Sequence, residues 1–258
     1  MGDYLTKCTM DTNMIVSFIH EQAFMKIANH AHPAIGTHVV IFTLRDKRLY
    51  LLLVSRANDS GKTGWTLPGG PLQLGKNIDH SARRKLEQET GVTGIYLEQL
   101  YTFSGKTPDS EQWPITVAYY ALFPLHELQL RPTRHGGKVD WFPLDQLPCL
   151  PGNYQEIVTM AHARLAAKLE YSTIALQFLP EQFTLRELQA VYEIILDQPL
   201  DKRNFRKSVL AQDYIEATGE KRRNGAHRPA ELYRVKCPGK VEFTKWSVAK
   251  KVAAHRAA

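Results

Sequence analysis

Residues 70–92 read GPLQLGKNIDHSARRKLEQETGV, and this stretch decides the fold. The run from Asn58 to Gly75 carries Gly61, Gly64, Gly69, Gly70 and Gly75 together with Pro68 and Pro71, so it reads as loop. Residues 77–90 then form a helix. Ile78, Ala82 and Leu86 recur four apart on one face, and Gly91 stands where a left-handed C-cap is wanted. Upstream, THVVIFTLRDKRLYLLLVSR consists of two β-rich runs around a polar turn at Arg45–Arg48, a hairpin. Downstream, strands are expected at 95–103, 115–123 and 138–142. The proline-interrupted FPLDQLPCLPGNYQ then closes this domain.

From Glu156 the pattern turns helical. A long amphipathic helix is expected over 156–178, with a break near Tyr171–Ser172. Thr184 opens the next helix, and Glu187 three residues later completes a capping box. That helix runs to about Leu196 and buries Leu188, Val191, Tyr192 and Ile195. Pro199 breaks the chain, and Asp201 caps the helix DKRNFRKSVLAQ. The runs YIEAT and AELYRV follow as two strands around the basic loop GEKRRNGAHRP. Helices followed by a two-stranded ribbon give the order of a winged helix-turn-helix. At the other end of the chain, residues 13–30 space apolar side chains helically.

The 258 residues suffice for two modest domains. No apolar run approaches the roughly 20 residues of a membrane-spanning helix, and no secretory leader is legible, so a cytoplasmic chain without membrane association is expected. Cys8, Cys149 and Cys237 lack C-x-x-C spacing and predict neither a disulfide framework nor a metal site. Charge is unevenly placed. Residues 1–170 hold 17 Lys and Arg against 16 Asp and Glu, a net of +1, whereas residues 171–258 hold 16 against 10, a net of +6. A local excess of cations suits a polyanion-binding module, because Lys and Arg release counterions from a phosphate backbone.

The stretch from Gly70 resembles the Nudix box, G-x5-E-x7-R-E-U-x-E-E-x-G-U, where U is a bulky aliphatic residue. Gly70, Arg84, Leu86, Glu89, Gly91 and Val92 match, and Trp65–Gly69 resembles the usual approach to the box. The resemblance implies a Nudix α/β/α sandwich. Nudix hydrolases use the box glutamates to hold divalent cations on a diphosphate. Here Lys76, Lys85 and Gln88 occupy three of those positions and only Glu89 is kept, while Glu87 is one residue out of register and rotated by about 100°. Ammonium groups repel the cation they would have to sit beside, so neither catalytic residues nor metal ligands nor a cofactor are expected.

In DKRNFRKSVLAQ, Phe205 and Val209 share one face, and Arg203 and Lys207 the opposite one, with Lys202, Asn204 and Arg206 beside them. A recognition helix presents such residues to the major groove, where Arg reads guanine and Asn reads adenine. Lys221, Arg222, Arg223 and Arg228 in the ribbon suit phosphates. The run FTLRELQAVYEIILDQPLDKRNFRKSVL followed by HRPAELYRV, with LEQLYTF at 97–103 and VAYYAL at 117–122, is similar to the Nudix-related transcriptional regulators, the NrtR family. The similarity covers about residues 38–236. It departs from the family in the loop 104–114, which lacks an arginine, and in Gly152-Asn153-Tyr154, where an aromatic–Asp–His pattern is usual.

The resemblance implies an α+β chain of four parts: an N-terminal helical extension (1–33), a Nudix-like ligand-binding domain (34–155), a winged helix-turn-helix with its linker helix (156–238), and a C-terminal tail (239–258). It implies a repressor of NAD-metabolism genes that binds palindromic double-stranded operator DNA as a homodimer. It also implies that the Nudix domain senses ADP-ribose or a related nucleotide, and Arg56, Trp65, Gly70, Arg84, Lys85 and Glu89 are the candidates to hold it. The competing reading is a Nudix pyrophosphohydrolase of ADP-ribose or a related nucleoside diphosphate with an accessory basic domain.

Overall fold

Strands β1 (Ile35–Arg45) and β6 (Ile115–Phe123) are apolar at most positions, as strands covered on both faces must be, and they pair in parallel at the centre of a mixed sheet. The computed structural model describes residues 34–57, 63–72, 75–91, 94–104, 115–124, 138–223, 229–237 and 241–242. The helix expected over 13–30 and most of the tail lie outside the described residues. The sheet order is β3 (Thr63–Thr66), β2 (Arg48–Ala57), β1, β6, β5 (Tyr96–Ser104). Two short strands complete it: β4 (Gly69–Pro71) pairs with the start of β1, and β7 (Val139–Pro143) pairs with β2. The 58–75 segment, expected to be loop throughout, therefore contains β3 and β4. The residues Gly-Gly-Pro have no strand propensity of their own. They are held by register with Gly36, Thr37 and His38 and by the Val39 amide, which donates to the Pro68 carbonyl at 2.8 Å.

Successive residues of a strand point to opposite faces. Val39 and Ile41 of β1 join Leu52, Val117, Tyr119 and Ala121 under helix α1 (Ile78–Thr90), which contributes Ala82 and Leu86. The helix is capped by Asn77, whose side chain accepts from the Asp79 amide at 2.8 Å, and it ends on Gly91 at φ 72°. Val40 and Phe42 face the other way, with Leu51, Leu53, Tyr120 and Leu122, under helix α2 (Tyr154–Lys168). The helix expected over 156–178 with a break near Tyr171–Ser172 ends at Lys168, a few residues before the expected break. The Ser172 hydroxyl and amide both donate to the Lys168 carbonyl, turning the chain, and residues Ile174–Phe178 form a buried 3₁₀ turn.

Helix α3 (Leu185–Leu196), helix α4 (Lys202–Leu210) and strands β8 (Ile215–Arg222) and β9 (Ala230–Val235) form the winged helix. Phe183 and Tyr233 exchange two backbone hydrogen bonds and add a third, one-residue rung to the wing. The apolar cluster under α2 does not stop at the sheet. It runs through Ile157, Ala161 and Leu165 into Leu188, Val191, Tyr192, Phe205 and Val209, so the sheet and the winged helix share one core. The described residues from Ile35 onward accordingly belong to one compact unit.

At the far end of α2, Lys168 is nearly enclosed and meets the Glu98 carboxylate of β5. Tyr96 and Tyr120 donate to the same carboxylate, Tyr120 at 2.8 Å. Burial works against ionisation of Glu98, but the bonds from Lys168, Tyr96 and Tyr120 outweigh it and hold the carboxyl below its ordinary range. Removing one partner of an enclosed pair strands the other charge. Because Glu98 is 30% exposed, Lys168→Ala should cost the lower part of the roughly 3–5 kcal/mol seen for buried pairs. Lys168→Met with Glu98→Gln should recover most of it. Urea unfolding checks this, and a loss under about 1 kcal/mol, typical of an exposed pair, would show the pair to be dispensable.

Candidate nucleic-acid interface and box pocket

Helix α4 begins on Asp201, whose carboxylate accepts from the Asn204 amide at 2.8 Å. Phe205, Ser208 and Val209 are buried, Phe205 edge-on against Tyr192 with ring centroids 5.3 Å apart. This fixes the rotation of the helix. Lys202, Arg203, Asn204, Arg206 and Lys207 are all exposed, and Arg206 lies beside the Tyr233 hydroxyl of β9. The turn entering α4 is clamped from α3. Glu193 accepts from the Leu200 amide and from Gln189, and Gln189 also donates to the Leu200 carbonyl, each at 2.9 Å.

The wing strand β8 carries a bulge between Ala217 and Lys221, where Gly219 adopts φ 81°. Lys221 and Arg223 are exposed, and Arg228 lies outside the described residues. Arg222 corrects the expectation from sequence. Its guanidinium turns inward, donating to Glu187 and to the Gln182 carbonyl, each at 2.8 Å. Glu187 is also the capping-box residue of α3 and accepts from the Thr184 amide at 2.7 Å. A cation of the basic wing thus fastens the wing to α3 while remaining about one third exposed.

Lys76, Arg84 and Lys85 line a recess of about 10 Å³ with Pro71, His80 and Ser81, space for about one water. The Lys85 ammonium lies over the box glycine: a methyl group on Gly70 would meet it at 3.4 Å. Arg56 donates to the Gly69 carbonyl at 2.6 Å. Trp65, in register with Ser55 beside Arg56, packs edge-on against Phe142 at 4.7 Å. Of Glu89 the structure describes the backbone in α1 and not the side chain. Among the described residues no group of three or more His, Cys, Asp or Glu could hold a metal ion.

Two features of this region escaped the sequence. Gly69 sits at φ 152°, and a Cβ there would fall 2.1 Å from the Thr37 carbonyl oxygen and 2.7 Å from the His38 ring, so only glycine lets β4 close on β1. His38 in turn contacts the first residue of α2: its Nε2 is 2.8 Å from the Tyr154 hydroxyl, with ring centroids 4.9 Å apart. Part of the residue reaches solvent, but Nδ1 is enclosed and has no hydrogen-bond partner among the described residues. The signal was a lone histidine at the head of an apolar strand, too weak by itself.

The comparisons with known proteins agree with this arrangement. The family model described as NUDIX domain matches residues 34–162, and the model described as NrtR DNA-binding winged helix domain matches residues 175–235. A curated relative from Acinetobacter baylyi, named ADPR responsive transcriptional repressor NtrR, is 34% identical over 228 residues, covering 85% of this chain and 90% of the relative. The chain belongs to the NrtR family. The crystal structure of Shewanella oneidensis NrtR is 35% identical, with a TM-score of 0.68, covering 79% of this chain and 94% of that one. The same protein complexed with a 27mer DNA is 33% identical, with a TM-score of 0.67, covering 78% and 93%. The family assignment carries the paired architecture, a Nudix fold followed by a winged helix. Among the described residues no helix is long and apolar enough to cross a membrane.

Two outcomes are expected. Burial, and secondarily the charge of Arg56, push His38 down to about 4 from an ordinary 6.5. Between those values the unfolded chain binds a proton that the folded chain refuses. Stability from this group is therefore full above pH 6.5 and is lost as the pH falls toward 4. Urea midpoints followed over that range should drop, and His38→Gln should remove that component of the slope. The second outcome separates the wing arginines. Arg222→Ala should lower the thermal midpoint by a few degrees, for a loss of about 1–2 kcal/mol, while leaving the salt dependence of DNA binding nearly intact. Arg223→Ala should do the reverse. Equal salt slopes for the two variants would refute the distinction.

Proposed function

We propose that the chain is an ADP-ribose-responsive transcriptional repressor that binds operator DNA through its winged helix and senses the nucleotide in a Nudix domain that does not turn it over. The observation that carries the reading is the match, over 90% of its length, to the Acinetobacter baylyi repressor, whose name states that it responds to ADPR. The exposed cationic face of α4 supports it, as does the DNA-bound state of the similar Shewanella oneidensis protein.

Arg203 and Asn204 read base edges, Lys202, Arg206 and Lys207 flank them, and Lys221, Arg223 and Arg228 hold phosphates. One winged helix spans few base pairs, so the working form is a homodimer on a roughly palindromic site. The boundary between the ligand-binding and DNA-binding parts falls near residue 155, at the start of α2. In the Nudix domain, Arg56, Arg84 and Lys85 hold the diphosphate, with Gly70 letting the backbone approach and Trp65 and Glu89 at the margin. A phosphate brought to the Gly70 backbone meets the Lys85 ammonium, which lies over that glycine. The turn before α1 and the helix itself supply two ammonium groups, Lys76 and Lys85, where hydrolysis needs metal-binding carboxylates, so no turnover accompanies binding.

One set of measurements tests the reading. The purified full chain should select a duplex from a random pool. On that duplex, Arg203→Ala and Asn204→Ala should each cost about 1–3 kcal/mol, with little loss on random DNA. ADP-ribose should change operator affinity by a factor of roughly 5–150, and operator should change ADP-ribose affinity by the same factor. Equal losses of the helix variants on both DNAs would misplace the reading head. Binding of ADP-ribose without any change in operator affinity would refute the sensor. Hydrolysis of ADP-ribose with Mg²⁺ at about 1 s⁻¹ or faster would favour the pyrophosphohydrolase instead.

A further inference from the structure

The hairpin joining β1 and β2 turns on Asp46 and Lys47, which lie at φ 49° and 59°. Both central residues are thus left-handed, the geometry of a tight hairpin that ordinarily selects Asn-Gly or Asp-Gly. Asp tolerates it. Lysine does not gain from it, since its Cβ crowds the following carbonyl oxygen in the left-handed conformation. A lysine in the position that glycine would fill at lower cost points to a use for its side chain.

The hairpin tip borders a groove of about 1140 Å³ that runs along one side of α3 to the first residue of α4. Lys47, Arg186 and Lys202 line it, all three exposed. Among the described residues none of the three has an ion-pair partner. The groove's carboxylates are largely committed. Asp145 pairs with Arg48, and Glu193 accepts from Gln189 and from the Leu200 amide. The bonds to Glu193 come from neutral amides, so its charge remains, and with Asp197 it offsets two of the three cations, leaving one in excess. The 12 residues of α3 give this side of the groove a length of about 18 Å, room for a short run of phosphates of one DNA strand. Exposed cations spread along an open groove suit a polyanion better than a compact nucleotide, which wants enclosed anchors.

We propose that this groove takes the phosphodiester backbone of the operator flank, so that the Nudix sheet itself contacts DNA through Lys47. The proposal rests on the DNA-binding reading above and extends the protein's footprint beyond the bases met by α4. Lys202, shared by the groove and the recognition helix, makes the two surfaces continuous.

The test uses the full chain with the selected operator in two forms, a core duplex and one extended on both sides. Plots of log K against log salt should be steeper for the extended duplex. Lys47→Ala and Arg186→Ala should each lower that slope by about 0.9, with the core duplex and the preference over random DNA unchanged. Lys47→Gly separates the roles within one residue: it should raise the thermal midpoint by relieving the turn and still lose the slope. Unchanged slopes in all three variants, with normal operator binding by the unsubstituted chain, would overturn the groove proposal alone. Loss of ADP-ribose affinity rather than DNA slope would overturn it in favour of a nucleotide site. An unsubstituted chain that binds neither duplex would overturn the DNA-binding reading and this proposal with it.

Discussion

Burial of one face of the central sheet under α2 is the constraint on which the rest of the molecule depends. Val40 and Phe42 of β1 and Tyr120 and Leu122 of β6 have no solvent-facing alternative, and each large apolar side chain so covered is worth about 1.5–3 kcal/mol. The helix that covers them is too short to bury its own far side. That side is taken up by α3 and the 3₁₀ turn before it, and α3 in turn carries α4 on Tyr192. The pose of the recognition helix is therefore set by packing that begins on the sheet. Polar contacts act at both ends of α2: Tyr154 on His38 at its start and Lys168 on Glu98 at its end. The partly covered Lys168–Glu98 pair and the His38–Tyr154 contact hold one register of the helix against the sheet.

Such a shared core changes what a ligand in the Nudix domain must do to reach DNA. A flexible linker would absorb a small displacement. Here Arg56 holds the carbonyl of Gly69, Gly69 pairs in register with His38, and His38 meets the first residue of α2. A shift of the approach loop is thus delivered to the N-terminus of a packed helix. Tightly packed elements move between discrete arrangements rather than deforming gradually.

Much of this was legible in the sequence where a periodic pattern met a chemical marker. Ile78, Ala82 and Leu86 with Gly91 fixed α1, Thr184 and Glu187 fixed the start of α3, and Phe205 and Val209 fixed the rotation of α4. What escaped depends on partners distant in sequence. β4 is a strand only because β1 offers it a register with Gly36, Thr37 and His38. A lysine among helical residues reads as a solvated face until Glu98, 70 positions away, is seen to receive it. The same holds for Arg222, which looks like any other cation of the basic loop until Glu187 is found 35 positions earlier. At the box, the substitutions were visible in sequence but their packing was not: that Lys85 lies against Gly70 follows from the pairing of β4 with β1 beside α1.

The double use of Glu187 bears on how this reader of DNA could be re-targeted. One carboxylate caps α3 and also grips Arg222 at the base of the wing, so wing and helix start form a single mechanical part. Transplanting a foreign wing without its own α3 start would leave a half-buried charge unmet and loosen the helix beneath it. Helix α4 is joined differently. It is seated by three buried side chains, Phe205, Ser208 and Val209, and capped by its own Asp201. Its outward residues can be exchanged as a cassette without touching that joint. The molecule thus divides its DNA-binding surface into a readily replaceable reading edge and a wing that can be moved only together with the scaffold that holds it.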